Sequence, residues 1–179
     1  MEAKGVALRL TDRTPALIRP IRPTDAEALQ RGLKRLSPEG KAYRFLQSRT
    51  RFSEEELHFL THCDNVDHFA LILAITDEHG AEQDAVGVAR CIRDKNLPTQ
   101  AEVAIVLVDE WQKHGGGTRL LQALAEVAWK AGIRQWQTLS LVDNEAMPRL
   151  MTHVGELASQ RRVGQGLVEA IHQLREPGI

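Results

Sequence analysis

Between Trp111 and Leu120 the chain reads Trp-Gln-Lys-His-Gly-Gly-Gly-Thr-Arg-Leu, with three consecutive glycines at 115–117. The stretch before it, Ala101–Asp109, is apolar and β-branched. The stretch after it, Leu120–Gly132, repeats apolar residues at helical spacing. Glycine is costly inside regular elements and is retained where backbone turns sharply or where something approaches it closely. A strand-to-helix turn this bare is suited to binding a ligand directly on main-chain groups.

Four ligand classes compete for such a turn. A phosphate-binding loop of the G-x-x-x-x-G-K-[ST] kind needs Lys and Ser/Thr after its last glycine, but the only Gly-Lys pair, Gly40-Lys41, is followed by Ala42. A dinucleotide fingerprint, G-x-G-x-x-G, fails at Leu120, and it belongs to an early strand rather than a late one. His114–Gly117 spells the HGGG oxyanion loop of lipases and esterases. That loop needs a G-x-S-x-G nucleophile elbow, and none of Ser37, Ser48, Ser53, Ser140 or Ser159 sits in one. The fourth pattern, Q/R-x-x-G-x-G/A, is matched by Gln112–Gly117 between a central strand and a long helix. This is the acetyl-coenzyme A signature of the GNAT N-acetyltransferases, and the sequence resembles that superfamily. Arg19–Leu29 (RPIRPTDAEAL), Leu36–Phe45 (LSPEGKAYRF) and Ala101–Gln112 (AEVAIVLVDEWQ) are similar to the bacterial Pat-like protein-lysine acetyltransferases, so the resemblance covers most of the chain.

The resemblance implies an α/β fold whose central sheet is mixed, mostly antiparallel, flanked by helices and splayed at the coenzyme-binding strand. It implies acetyl-CoA as cosubstrate, no metal, and direct transfer of acetyl to an amine. The acceptor on the subgroup pattern is a protein lysine, with a small-molecule amine as the alternative. A non-catalytic acyl-CoA sensor that keeps the fold is the rival from another class. Backbone groups of Ile105, Val106 and Leu107 would pair with the pantetheine arm as an added strand, in a gap opened by a bulge. Main-chain amides from Gln112 to Thr118 would converge on the pyrophosphate, with the helix dipole adding positive potential. Side chains at Gly115 or Gly117 would hold the phosphates off; Gly116 lies between them, and Lys113 and His114 would add positive charge. Asn144 matches the Asn of the family's second coenzyme segment and would bond the pantetheine arm, with helix capping as its rival role.

Glu102 is the implied general base, since it occupies the place of a subgroup glutamate at the start of this strand. The chemistry requires one: a lysine amine with a pKa of about 10.4 is neutral in about one molecule in a few thousand at pH 7. The attacking nitrogen needs its lone pair, so a carboxylate must take the proton. Asp109 and Glu110 rank below it because they lie nearer the phosphates. Three positions depart from the family pattern. Gly116 replaces the usual aliphatic residue, Met151 stands where a tyrosine commonly serves as general acid, and Pro148 interrupts the helix after Asn144. The only tyrosine, Tyr43, is remote in sequence, which leaves His153 as a weak substitute.

Positioning these groups requires a succession of elements. Pro15–Arg22 predicts a strand, followed by a helix capped by Thr24 with Glu27 and carrying Ala26, Leu29, Leu33 and Leu36 on one face. Ser37-Pro38 opens a second helical piece and Ser53 with Glu56 a third, stapled by Phe52 and Leu57. Val66–Thr76 and Asp84–Asp94 predict a hairpin, and Ala101–Asp109 a central strand. The long helix closes at Gly132; Trp136–Val142 is another strand, Asn144–His153 holds a short helix, and a terminal hairpin turns at Gly164-Gln165-Gly166. Trp111, Trp129 and Trp136 are expected in the core or cleft wall.

The 179 residues suit a single domain spanning 1–179. A net charge of −1 gives no reason to expect nucleic acid or an acidic membrane as partner. The amino terminus lacks a signal-peptide core and no stretch reaches membrane-spanning length. The two cysteines, Cys63 and Cys91, show no metal or disulfide spacing, so a reduced, cytoplasmic protein is expected.

Overall fold

The computed structural model describes residues 5–46, 50–164 and 166–178. Residues 1–4, Ser48 and Gln165, which entered the sequence reading, lie outside them. The strands are β1 (Val6–Arg9), β2 (Pro15–Pro20), β3 (His68–Thr76), β4 (Glu82–Arg93), β5 (Gln100–Leu107), β6 (Gln135–Leu141), β7 (Gly155–Val163) and β8 (Leu167–Leu174). The helices are α1 (Ala26–Lys34), α2 (Pro38–Phe45), α3 (Glu54–Thr61), α4 (Gly116–Lys130) and α5 (Ala146–Met151). All the strands join one sheet in the order β1-β2-β3-β4-β5-β6-β8-β7. Every neighbouring pair is antiparallel except β5 and β6.

Helix α4 covers one face of the sheet. Its Leu120, Leu121, Leu124, Ala125 and Ala128 are buried against Leu73, Ala89, Cys91, Val103 and Trp136. Each fully buried leucine contributes about 1.5–3 kcal/mol, which outweighs the roughly 1 kcal/mol that each glycine at the helix start costs. The packing therefore holds α4 in place while its first turn stays bare. The opposite face carries α1 and α3, with Leu33, Leu36 and Phe52 at the centre of a second cluster that includes Val106. Of the three tryptophans, Trp136 is buried, and Trp111 and Trp129 pack against the α4 core.

Several local expectations are corrected. Strand β1 is absent from the sequence reading, because four mostly exposed edge residues carry no alternation to detect. The residue at the N-cap position of α1 is Asp25, not Thr24, and its side chain makes no capping bond to α1; its carboxylate instead accepts the Arg22 amide at 2.7 Å, closing a short 3-10 turn that starts at Pro23. The same carboxylate faces the buried Arg19, at 2.7 and 2.8 Å. Pro148 does not break α5. It is the third residue of that helix, where an N–H has no intrahelical acceptor to lose. The caps at Ser37 and Ser53 form as expected, the latter as a full capping box with Glu56.

The Arg19 guanidinium is buried between Asp25 and Glu82 and ties β2 to β4 and to the entry of α1. Burial would raise the Asp25 carboxyl, but its bonds to Arg19 and the Arg22 amide outweigh this and hold it below the usual carboxylate range. Asp25→Ala leaves a buried cation short of a partner and should cost about 3–5 kcal/mol in urea denaturation. Because the folded-state value is depressed, this contribution is present above the unfolded value of about 4 and is lost as pH falls through the folded value. The acid limb of the wild-type stability curve should therefore be steeper than that of the variant.

Among the described residues, no helix is long and apolar enough to cross a membrane, and no cluster of His, Cys, Asp or Glu is arranged to hold a metal ion.

Candidate active site

The parallel pairing of β5 and β6 lasts for three rungs only: Gln100 with Gln135, Ala101 with Trp136, and Glu102 with Gln137. Past Glu102 the strands part. β6 stays fully paired to β8 and β5 to β4, so the sheet splits between two intact halves. The pairing of β5 with β4 runs from Ala101 to Leu107 without a register shift, so the expected bulge is absent and divergence alone opens the gap.

The gap forms a cleft of about 390 Å³. Val103–Leu107 form one wall and Leu139, Ser140 and Asn144 the other, while Gln112, Lys113, Gly115, Gly117 and Thr118 stand at one end. Helix α2 crosses the opening with Gly40, Tyr43 and Arg44, and α5 adds Met147 and Leu150. Of the residues singled out in the sequence, Ile105, Val106, Leu107, Gln112, Lys113, Gly115, Gly117, Thr118 and Asn144 thus line one cavity. His114, Gly116 and Glu102 do not.

At the glycine end, Gly115 is the N-cap of α4 with φ 79°, the left-handed region that only glycine enters without strain. It has no side chain to bond the first-turn amides. The first intrahelical donor is Arg119, at 3.2 Å from the Gly115 carbonyl, so the N–H groups of Gly116, Gly117 and Thr118 precede the ladder. A Cβ at Gly117 would sit 3.5 Å from Leu150 and 3.6 Å from Leu107, two residues of the cleft wall. A Cβ at Gly116 would instead lie 2.5 Å from Leu73 Cδ2 in the core. The residue expected to have lost a packing side chain therefore has no room for one. Gln112 donates from its side chain to the Leu107 carbonyl at 3.2 Å, pinning the loop to the end of β5.

His114 is turned away from the cleft: its Nδ1 lies 2.9 Å from Asp12 Oδ2 in the β1–β2 turn. This corrects the expectation that it faces the phosphates beside Lys113. Asp109 and Glu110 both bond to the segment that joins α1 to α2. Asp109 accepts the Ser37 amide at 3.3 Å, and Glu110 accepts Arg35 Nε at 3.0 Å. Asn144 accepts the Met147 amide at 3.2 Å, so it caps α5 while lining the cleft.

Glu102 is exposed, on the last rung before the strands part, and enters no ion pair among the described residues. Alternation puts it on the same face of β5 as Ala104 and Val106. That face carries α1–α3, opposite α4. Two cross-strand neighbours extend this surface. Gln137 lies opposite Glu102, and its amide donates to Glu169 at 2.7 Å. Glu169 also accepts Arg161 Nε at 2.6 Å, a bond that holds its carboxyl below the usual range.

Sequence reasoning missed Tyr43 and Glu169. The Tyr43 hydroxyl donates to Glu39 at 3.0 Å and lies 3.4 Å from the Asp143 carbonyl, so α2 carries it to the cleft from a hundred residues away. The Glu39 bond raises the phenol above its usual value and keeps it protonated at neutral pH. No local signal marks either residue. Met151, at the usual tyrosine position, is buried in the core and is not part of the cleft wall.

The sequence profile of the acetyltransferase (GNAT) domain matches residues 16–156. The acetyltransferase Pat of Mycolicibacterium smegmatis is 30% identical over 152 residues, which cover 85% of this chain and 44% of that protein. This chain thus spans less than half the length of that relative. An acetyltransferase of Pseudomonas aeruginosa is 30% identical over 168 residues, covering 92% of this chain and 86% of that one. The crystal structure of the GNAT domain of S. lividans PAT superposes with a TM-score of 0.81 at 30% identity, covering 95% and 97% of the two chains. The structure of yncA from Salmonella typhimurium, solved with its cofactor acetyl-CoA, has a TM-score of 0.67 at 17% identity, over 89% and 93%. The split sheet, the bare helix start facing the cleft and these matches agree: the chain belongs to the GNAT acetyltransferase family and has its α/β fold.

Proposed function

We propose that this chain, as one domain, moves an acetyl group from acetyl-CoA to an amine, most readily a lysine side chain of a protein, by direct transfer. The observation that carries the proposal is the cleft itself, which begins beside Glu102 and ends at the bare first turn of α4, where Gly117 and Thr118 line it. A diphosphate supplies the negative charge and acceptor oxygens that such a helix start lacks. The groove opens where β5 and β6 stop pairing, so the backbone of Ile105, Val106 and Leu107 can pair with an extended pantetheine arm. Lys113 adds positive charge at the diphosphate end, and Asn144 borders the arm. Residues 112–118 and 144 are therefore assigned to the coenzyme, with His114 supporting the loop rather than touching it and Gly116 offering only its amide.

Glu102 then serves as general base. With thioester and amine held side by side, Glu102 takes a proton from the ammonium or its bound water, and the freed lone pair attacks the thioester carbon. Backbone N–H groups of β5 near Leu107 stabilise the developing oxyanion. As the carbon–nitrogen bond forms and the carbon–sulfur bond breaks, the nitrogen gives up its remaining extra proton and the leaving thiolate takes one up, so the transfer is neutral within the cleft that Tyr43 and His153 line. The carboxylates of Glu102 and Glu169 on the acceptor face favour a cationic acceptor such as lysine. The cytoplasm is the compartment proposed, because the two cysteines, Cys63 and Cys91, show neither disulfide nor metal spacing in the sequence.

Thermal unfolding with and without acetyl-CoA tests the binding step. At a ligand concentration of about 100 Kd the gain should be about 2.7 kcal/mol, a rise in Tm of several degrees. Radiolabelled acetyl-CoA added with the protein to a cell extract tests the acceptor. Label on protein supports lysine, label on small molecules points to a free amine, and binding without any transfer would reassign the chain as an acyl-CoA sensor.

A further inference from the structure

The turn between β1 and β2 is not part of the cleft, yet three of its contacts converge on the residues just before the first turn of α4. The Thr11 amide donates to the His114 carbonyl at 3.1 Å. The Asp12 carboxylate meets His114 Nδ1 at 2.9 Å. Thr11 Cγ2 lies 2.9 Å from where a Cβ of Gly115 would be, so the methyl group sits directly over that glycine.

The loop being held is strained. Lys113 has φ 65°, a region that a non-glycine side chain enters only at a cost, and Gly115 follows with φ 79°, which a glycine accepts. A segment with left-handed backbone on both sides of His114 needs outside contacts to stay in one conformation. The turn that supplies them is itself well fixed. Leu10 donates to the Thr14 carbonyl at 3.0 Å, Arg13 to the Leu10 carbonyl at 2.9 Å, and Thr14 to Asp12 Oδ1 at 3.0 Å. Leu10 is buried, and its Cδ2 lies 3.5 Å from where a Cβ of Gly116 would be. Asp12 is therefore the bridging group, with one oxygen on its own turn and the other on the glycine loop.

We infer that the β1–β2 turn is a positioning device for the coenzyme: Thr11 and Asp12 hold His114 and Gly115 so that the amides of Gly116, Gly117 and Thr118 stay aimed at the diphosphate. The inference rests on the proposed acetyl-CoA reading. It gives His114 a different part from the one its type and position suggest, since its imidazole acts through the loop and not on the phosphate. Asp12 and His114 are positioning residues; neither touches the reacting atoms.

The experiment compares acetyl-CoA with S-acetylpantetheine, which carries the same thioester and arm without the diphosphate, by titration calorimetry on wild type, Asp12→Asn and Asp12→Ala. Asp12→Asn keeps an oxygen for the Thr14 amide and removes the charge facing His114, so the turn survives even if the alanine variant perturbs it. For a partly exposed side-chain contact of this kind the expected loss is about three- to fivefold in Kd for acetyl-CoA. S-acetylpantetheine should bind all three proteins equally. Unchanged acetyl-CoA affinity in both variants overturns the inference, as does an equal loss for both thioesters, which would mark a general disturbance of the cleft. A wild type that binds the two thioesters with the same affinity removes the diphosphate reading itself, and the positioning role falls with it.

Discussion

Glu102→Gln is expected to lower kcat by about 10²–10⁴-fold, the range that a positioned general base contributes, while the Kd for acetyl-CoA stays within about twofold. Glutamine keeps the size and hydrogen-bonding reach of the side chain but cannot take a proton. The site at 102 is exposed and has no ion pair among the described residues, so the substitution should leave Tm unchanged. Single-turnover transfer measured against pH separates a base from a binding group. Loss of a base removes the rise of rate with pH and can be offset at high pH, where more of the amine is already neutral. Loss of a binding group raises the acceptor KM at every pH. Full activity in the glutamine variant would return the base to another carboxylate, with Glu169, bonded to the Gln137 that pairs with Glu102, the next candidate. Asp109 and Glu110 would not inherit the role, since Ser37 and Arg35 hold them.

Legibility divided along the range of the interactions involved. Gln112–Gly117 could be read because the loop's function depends on its own backbone, and backbone demands are written locally as glycine. Ser53 with Glu56, and the closing of α4 at Gly132, were readable for the same reason: the groups that satisfy the chain lie within a few residues of one another. The paired half of the sheet followed from β-branched runs and polar turns. What failed was decided by partners distant in sequence. Thr24 fits an N-cap by type, but α1 starts one residue later and Asp25 is turned to the buried Arg19 instead of capping the helix. Gly116 looked like a missing side chain until β3 supplied Leu73 at the place the side chain would occupy. His114 beside Lys113 looked like a phosphate ligand until β1, a strand too short and too exposed to detect, supplied Asp12. Tyr43 reaches the cleft only because α2 lies across the parted strands.

The adjacent glycines at 116 and 117 should therefore respond to substitution in opposite ways. Gly117→Val places its side chain in the cleft against Leu150 and Leu107, at ordinary contact distances and clear of the main chain. The fold should tolerate it, since an exposed glycine in a helix already costs about 1 kcal/mol relative to alanine. The coenzyme should not. The branches would stand over the first-turn amides and push a diphosphate out of reach of three N–H groups, each contributing about 0.3–1 kcal/mol, so Kd should rise by about 10–100-fold and the acetyl-CoA-dependent gain in Tm should shrink accordingly. Gly116→Val drives its Cβ toward Leu73 Cδ2, and Leu73 is fully buried with no space to retreat. That variant should lose about 1–3 kcal/mol of stability, read as a lower urea midpoint in the absence of any ligand. If the two variants exchanged their effects, with Gly117→Val unfolding and Gly116→Val failing only to bind, the first turn of α4 would have to face the opposite way. If neither changed coenzyme affinity, the diphosphate would lie elsewhere.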